Sequence, residues 1–147
     1  MDLSALDLSG LDFSGLTLAS ANFSETRLIK TKFVKTFPWK SNFQGANLTG
    51  ADLTTANLKE ADLSRATFEN ANLSRANLSK SSLAGARYMK ANMTFANLNG
   101  CNFSRANLTS ASLHGANLTK ANLKSATIRE TSFKYAKLIG TIGCKIS

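Results

Sequence analysis

The chain has 147 residues and a formal net charge of +9, a length that suits one domain and a charge that favours acidic partners. No apolar run approaches the roughly 18 residues needed to cross a bilayer. Met1-Asp2-Leu3 lacks the basic and apolar regions of a secretory signal, so no membrane span is expected and the cytoplasm is the expected setting. The two cysteines, Cys101 and Cys144, form no CxxC pair and no His/Cys cluster, so no metal site and no cofactor is expected.

Large apolar residues recur every five positions, from Leu3 through Leu8, Phe13 and Leu18 to Leu138, without an insertion. With each of these taken as position i, Ala fills i−2 in 17 of 28 cases and Asn or Asp fills i−1 in 17, so the repeat governs the fold and precedes any local reading. A helix turns five residues through about 500°, which would scatter the leucines round every face. A plain strand would send alternate leucines to opposite faces, because five is odd. A chain that turns a corner every five residues satisfies the pattern, with i−2 and i inward and i−1, i+1 and i+2 outward. Eight of the nine glycines, from Gly10 to Gly140, stand at i+2, which marks i+2 as the corner where a positive φ is wanted.

The clearest stretch runs from Ala46-Asn47-Leu48-Thr49-Gly50 and Ala51-Asp52-Leu53-Thr54-Thr55 onward to Leu123. Tandem Ala-Asn/Asp-Leu-x-x units of this kind resemble the pentapeptide-repeat family over nearly the whole chain. The resemblance implies an all-β fold, a right-handed quadrilateral parallel β-helix with four pentapeptides to a coil, i and i−2 filling a narrow core. Residues 1–140 are expected to form this repeat solenoid, in about seven coils stacked at about 4.8 Å each. Residues 141–147 break the pattern and are expected to cap the last coil; by resemblance to members that pair through a terminus, a homodimer contact there is the alternative.

In chain order, the first coil carries Leu6, Leu11 and Leu16 at i−2 in place of Ala, which predicts a wider or end-covering coil. From Thr26 to Ser41 the phase is kept while the chemistry becomes basic and aromatic, with Pro38 at an i position between Phe37 and Trp39. Proline lacks an amide donor and suits a laddered interior poorly, so an irregular segment with a local bulge is predicted over 26–41. Two readings of its aromatics stand side by side: Phe37 or Trp39 folds back to replace the apolar content lost at Pro38, or Trp39 is presented as a binding anchor. In the regular middle, Asn57, Asn77, Asn97 and Asn117 lie twenty apart, and an interlayer ladder of side-chain amides is predicted for them.

The single histidine, His114, lies at i+1 beside Gly115 with no orienting partner evident, and the serines are repeat filler. No triad or acid/base pair emerges, so no catalytic residue is expected and the chain reads as a non-enzyme. Charge is uneven. The face built on Leu18, Pro38, Leu58, Leu78, Leu98, Leu118 and Leu138 carries Lys40, Lys59, Lys80, Lys120 and Lys137 against Glu60 alone, while the face built on Leu3 is neutral.

These features predict a non-catalytic protein-interaction scaffold, a rigid rod presenting Phe37, Trp39, Lys40, Lys59, Lys80, Lys120 and Lys137 to an acidic protein partner. Two alternatives stand beside it. Some pentapeptide-repeat proteins are DNA mimics acting on DNA gyrase, which the positive charge of this chain disfavours; direct electrostatic binding of nucleic acid would follow from net charge alone.

Overall fold

The computed structural model describes residues 1–143. Parallel bridges join the i−1 residues to those twenty positions on, from Asp2↔Asn22 to Asn122↔Ile142 with Phe37 the one exception between them, so one turn of the coil takes four pentapeptides. Each bridge is a single residue wide, because the chain turns a corner before a second pair can form. Four faces result, built on Leu3 (face 1), Leu8 (face 2), Phe13 (face 3) and Leu18 (face 4).

The pentapeptide Ala46–Gly50 shows why the repeat has its composition. Ala46 N–H closes the preceding turn onto Phe43 O at 3.0 Å, Asn47 N–H donates to Thr26 O at 2.9 Å, and Leu48 and Gly50 donate onward to Thr67 O at 2.7 Å and Glu69 O at 2.9 Å. The fifth amide, Thr49 N–H, donates instead to the Asn47 side-chain Oδ1 at 3.1 Å. All five donors are thereby satisfied, and the carbonyl-like oxygen of Asn or Asp at i−1 supplies what no backbone group does, in the manner of an Asx turn.

The predicted amide ladder is corrected by the same observation. The Oδ1 atoms of Asn57, Asn77, Asn97 and Asn117 accept from the backbone N–H two residues on, at 3.1–3.2 Å, not from the amide of the next layer. The local N–H competes successfully because the turn has already aimed it at the side chain. Interlayer bonds do occur elsewhere, as in Asn122 Nδ2 to Asn102 Oδ1 at 3.3 Å.

Every i+2 residue from Ala5 to Gly140 has positive φ, 55–61° where it is not glycine and 65–77° where it is. The corner assignment from glycine is therefore right, yet glycine is not obligatory. A left-handed L-residue costs about 1–2 kcal/mol, and the turn bond with the onward i+2 bond offsets it.

Glycine has a second use at the corner. The Lys80 stem lies over Gly100 and that of Lys120 over Gly140, with Cγ 3.7 and 3.5 Å from where a Cβ would stand. Long corner side chains lean onto the next layer, and a glycine there leaves them room.

Inside, the i column is filled by Leu, Phe, Tyr88 and Met93, and i−2 by Ala, all buried from Phe23 to Leu123 apart from Pro38, Thr and Ser positions that are buried as well. Apart from Thr36, which donates to Phe33 O of its own coil, hydroxyls and the thiol at i−2 reach the carbonyl of the preceding coil: Ser41 to Leu18 O, Ser81 to Leu58 O and Cys101 to Leu78 O, each at 2.8 Å. The i−2 side chain thus points back toward the preceding layer. This explains Leu6, Leu11 and Leu16, which remain 46–48 % exposed: no coil of the described residues lies on that side of theirs, and their coil keeps the same phase instead of widening.

A leucine at an interior i−2 position meets that layer directly. Ala71→Leu is expected to lower stability by about 1–3 kcal/mol through overpacking, measured as the shift of the urea midpoint against the unchanged chain.

The predicted bulge over 26–41 does not form. The phase runs unbroken and Pro38 is buried at its i position. What is lost is a single donor: the bridge between Phe37 and Asn57 is missing, while Phe37 N–H still donates to Leu16 O at 3.0 Å and Lys40 N–H to Lys59 O at 2.9 Å. One absent amide among several per pentapeptide is too small a loss to expel the segment. Thr141 and Ile142 also continue the coil, Ile142 N–H donating to Ala121 O at 3.0 Å; the rest of the expected cap or dimer contact lies outside the described residues.

Candidate functional site

Face 4 gathers the residues singled out by the sequence. Neither Phe37 nor Trp39 folds back: they are 47 % and 42 % exposed, at i−1 and i+1 on either side of Pro38. The carbon the proline ring buries replaces the usual leucine sufficiently that no outward aromatic is drawn in. Lys40, on the corner, places its ammonium 5.2 Å from the centre of the Trp39 ring, a cation–π contact. One layer on, Glu60 lies between Lys40 Nζ at 3.8 Å and Lys59 Nζ at 3.9 Å.

The seven residues therefore divide into two groups. Phe37, Trp39, Lys40 and Lys59 form one cluster whose charge Glu60 reduces, although exposed pairs of this kind contribute only about 0–1 kcal/mol. Lys80, Lys120 and Lys137 stand further along the rod with no carboxylate partner among the described residues. From Lys40 to Lys120 is four layers, about 19 Å.

The family models now bear on this geometry. A model described as a pentapeptide repeat region matches residues 61–138, and one of eight pentapeptide repeats matches 2–33 and 21–59. The chain is a pentapeptide-repeat protein. Among solved structures, HetL, a pentapeptide-repeat protein involved in heterocyst differentiation regulation from the cyanobacterium Nostoc sp. strain PCC 7120, is 29 % identical, with 97 % of this chain and 76 % of that chain covered and a TM-score of 0.54. QnrB1, a plasmid-mediated fluoroquinolone resistance protein, is 21 % identical over 95 % of this chain and 78 % of that one, with a TM-score of 0.81. At that identity the QnrB1 likeness shows the fold alone. No curated protein matches the chain.

The repeat also assembles a surface that the sequence reading underestimated. On the corner between faces 3 and 4, Phe95 lies directly over Gly115, and the His114 ring stands edge-on to Phe95 at 5.6 Å and to Tyr135 at 5.2 Å. Arg75 lies over Phe95 at 5.6 Å and Lys134 over Tyr135 at 5.0 Å. The sequence signal was the twenty-residue spacing: Phe95 and Tyr135 share a corner two layers apart, and His114 projects into the gap that Gly115 leaves between them.

Among the described residues no group of three His, Cys, Asp or Glu side chains converges as a metal site, and no helix is long and apolar enough to cross a membrane. Asp2, Asp7 and Asp12 titrate below the usual carboxylate range, held there first by the hydroxyl and then by the backbone N–H of the serine two residues on. They are turn-forming groups of the repeat, and two of them also reach the next layer, Asp2 accepting from Asn22 Nδ2 at 3.1 Å and Asp7 pairing with Arg27.

Proposed function

We propose that the chain is a non-catalytic protein-interaction scaffold, a right-handed quadrilateral rod of about seven coils, about 34 Å long, that presents face 4 to an acidic partner. The observation that carries this reading is the exposure of Phe37 and Trp39 together on the most basic face, beside Lys40 and Lys59. An exposed Trp beside cations has the composition of a binding hot spot, and the lysines beyond it supply long-range attraction for negative charge. The rod's rigidity, with each layer hydrogen-bonded to the next, keeps those groups in fixed register, so less ordering entropy opposes binding.

The DNA-mimic alternative calls for an acidic rod, and a net charge of +9 has the opposite sign. Nucleic-acid binding rests on that charge alone, without a base-stacking platform on face 4 beyond Phe37 and Trp39.

The test is a pull-down from the source cells with the intact chain, with Trp39→Ala, and with Lys40→Glu, Lys59→Glu, Lys80→Glu and Lys120→Glu combined. Recovery of the captured partner is expected to fall at least tenfold for the combined variant and severalfold for Trp39→Ala, with an unchanged far-ultraviolet spectrum. Undiminished recovery by the combined variant overturns the assignment of face 4.

A further inference from the structure

Face 1 is neutral when its charges are summed along the rod, yet the charges are not mixed along it. Asp2, Glu25 and Asp62 come first along the rod and Arg65, Arg105 and Lys124 follow, with Asp62 and Arg65 meeting in one layer. On the basic half an open groove of about 590 Å³ runs along the corner with face 2, within the size range of small-ligand clefts, roughly 300–1,000 Å³.

The repeat explains the groove. Ser64, Ala84 and Ser104 follow one another at i+1, and these short side chains form a floor that Lys124 closes. In the corner column Gly85 separates Arg65 from Arg105, and the Arg65 stem lies across it, Cγ 3.7 Å from where a Cβ would stand. Four layers give the trough a length of about 14 Å, and the two arginines are rooted about 9.6 Å apart.

The arginines themselves single out this place. Of the six in the chain, Arg27 pairs with Asp7, Arg87 with Glu69 and Arg129 with Glu130, and Arg75 lies over the Phe95 ring. The remaining two, Arg65 and Arg105, have no carboxylate or aromatic partner among the described residues, and both line the groove. Asp62, the nearest carboxylate on this half of the face, takes the Ser64 N–H and hydroxyl on its Oδ1. Glu25 lies over Gly45 along the same corner and makes no ion pair with Arg65. The Ser104 and Ser125 hydroxyls have no protein partner among the described residues.

Guanidinium forks match the oxygen geometry of phosphate bidentately, and hydroxyl donors between them complete such a site. The lining has no aromatic or large aliphatic side chain, so a ligand gains little by bringing apolar surface. An acidic protein segment, which carries apolar neighbours with its carboxylates, fits this trough less well than a slender chain of charge.

We propose that the Arg65–Gly85–Arg105 groove binds a linear oligophosphate, either a free polyphosphate or the phosphate tail of a nucleotide. Isothermal titration of the full chain at physiological salt with sodium tripolyphosphate, and separately with ATP, tests this. Saturable binding of tripolyphosphate to one site is expected, weakened at least tenfold by Arg65→Gln with Arg105→Gln and less than twofold by Lys30→Gln with Lys90→Gln on another corner, outside face 4. Equal affinities in the two arms assign recognition to the phosphate chain; tighter binding of ATP assigns it to a nucleotide. Absence of saturation in both arms overturns the proposal, as does equal weakening by both pairs of substitutions, which would mark general attraction to a basic rod. Thermal melts matching the unchanged chain keep either loss from being a loss of fold.

Discussion

Replacing Phe33 by Ala is expected to lower stability by about 3–5 kcal/mol, the range for deleting a fully buried ring from a packed core. Phe33 has no exposed surface. Its ring stacks on Phe13 at 5.3 Å and meets Phe23 edge-on at 5.8 Å and Phe43 at 5.9 Å, while Phe23 stacks on Phe43 at 4.7 Å. Four rings from two faces thus interlock across the early coils. A coil is held only by its neighbours above and below, so the void cannot be filled from elsewhere, and the hydrogen-bonded corners prevent the backbone from closing on it. The check is urea unfolding followed by circular dichroism; a shift worth less than 1 kcal/mol would mean that the backbone ladder, not the aromatic column, joins these coils.

The second large effect concerns Cys101. Burial pushes its thiol up from 9.0 to about 12, only partly opposed by the backbone amides of Ser81 and Lys80. At pH 8 the thiolate fraction falls on the order of a thousandfold below that of an ordinary cysteine, and thiolate is the reactive form. In a Cys144→Ser background, a thiol reagent is expected to modify Cys101 at least about a thousandfold more slowly in the folded chain than in denaturant. Comparable rates would show that the core opens readily at this layer.

The same shift couples stability to pH. The folded state holds the proton more tightly than the unfolded state, so this contribution is intact below pH 9, then falls by about 1.4 kcal/mol per pH unit from pH 9 toward pH 12. Cys101→Ala, which installs the usual i−2 residue, is expected to remove that component. Tyr88 adds a loss of the same sign, since complete burial, and then the nearby Cys101, raise its hydroxyl well above the usual tyrosine value. Its Oη has no hydrogen-bond partner among the described residues, and leaving such a group buried costs about 1–3 kcal/mol. Tyr88→Phe is therefore expected to raise the urea midpoint by a comparable amount and flatten the alkaline fall further.

The five-residue beat made the inward and outward positions legible because they depend on little beyond it: one apolar pair per pentapeptide must leave water, and one residue must turn. Leu48, Ala46 and Gly50 could be assigned from their phase alone. Pro38 could not, because the general rule that proline disrupts a laddered interior says nothing of how many other hydrogen bonds hold the segment. Phe37 and Trp39 were legible as outward-phase residues but not as exposed ones, since that depended on whether the buried proline left space to be filled.

Asn57 and its successors show the same boundary from the other side. Their stacking twenty residues apart follows from the repeat, but the direction of each amide was decided by a backbone N–H brought within reach by the turn. His114 looked isolated because its neighbours in sequence are Leu113 and Gly115; in space it stands between Phe95 and Tyr135.

The sequence by itself determined the phase of residues 1–140 and the narrow core, since both follow from a local requirement repeated 28 times, and the basic excess, which is a sum over the chain. Only the tertiary structure decided which charges remain uncompensated. Summing a face erases position along the rod, whereas ion pairs and cation–π contacts form over about 4–6 Å, the spacing of adjacent layers. Arg87 finds Glu69 across such a distance and Arg65 finds no carboxylate among the described residues, a difference that arises when successive coils are laid on one another.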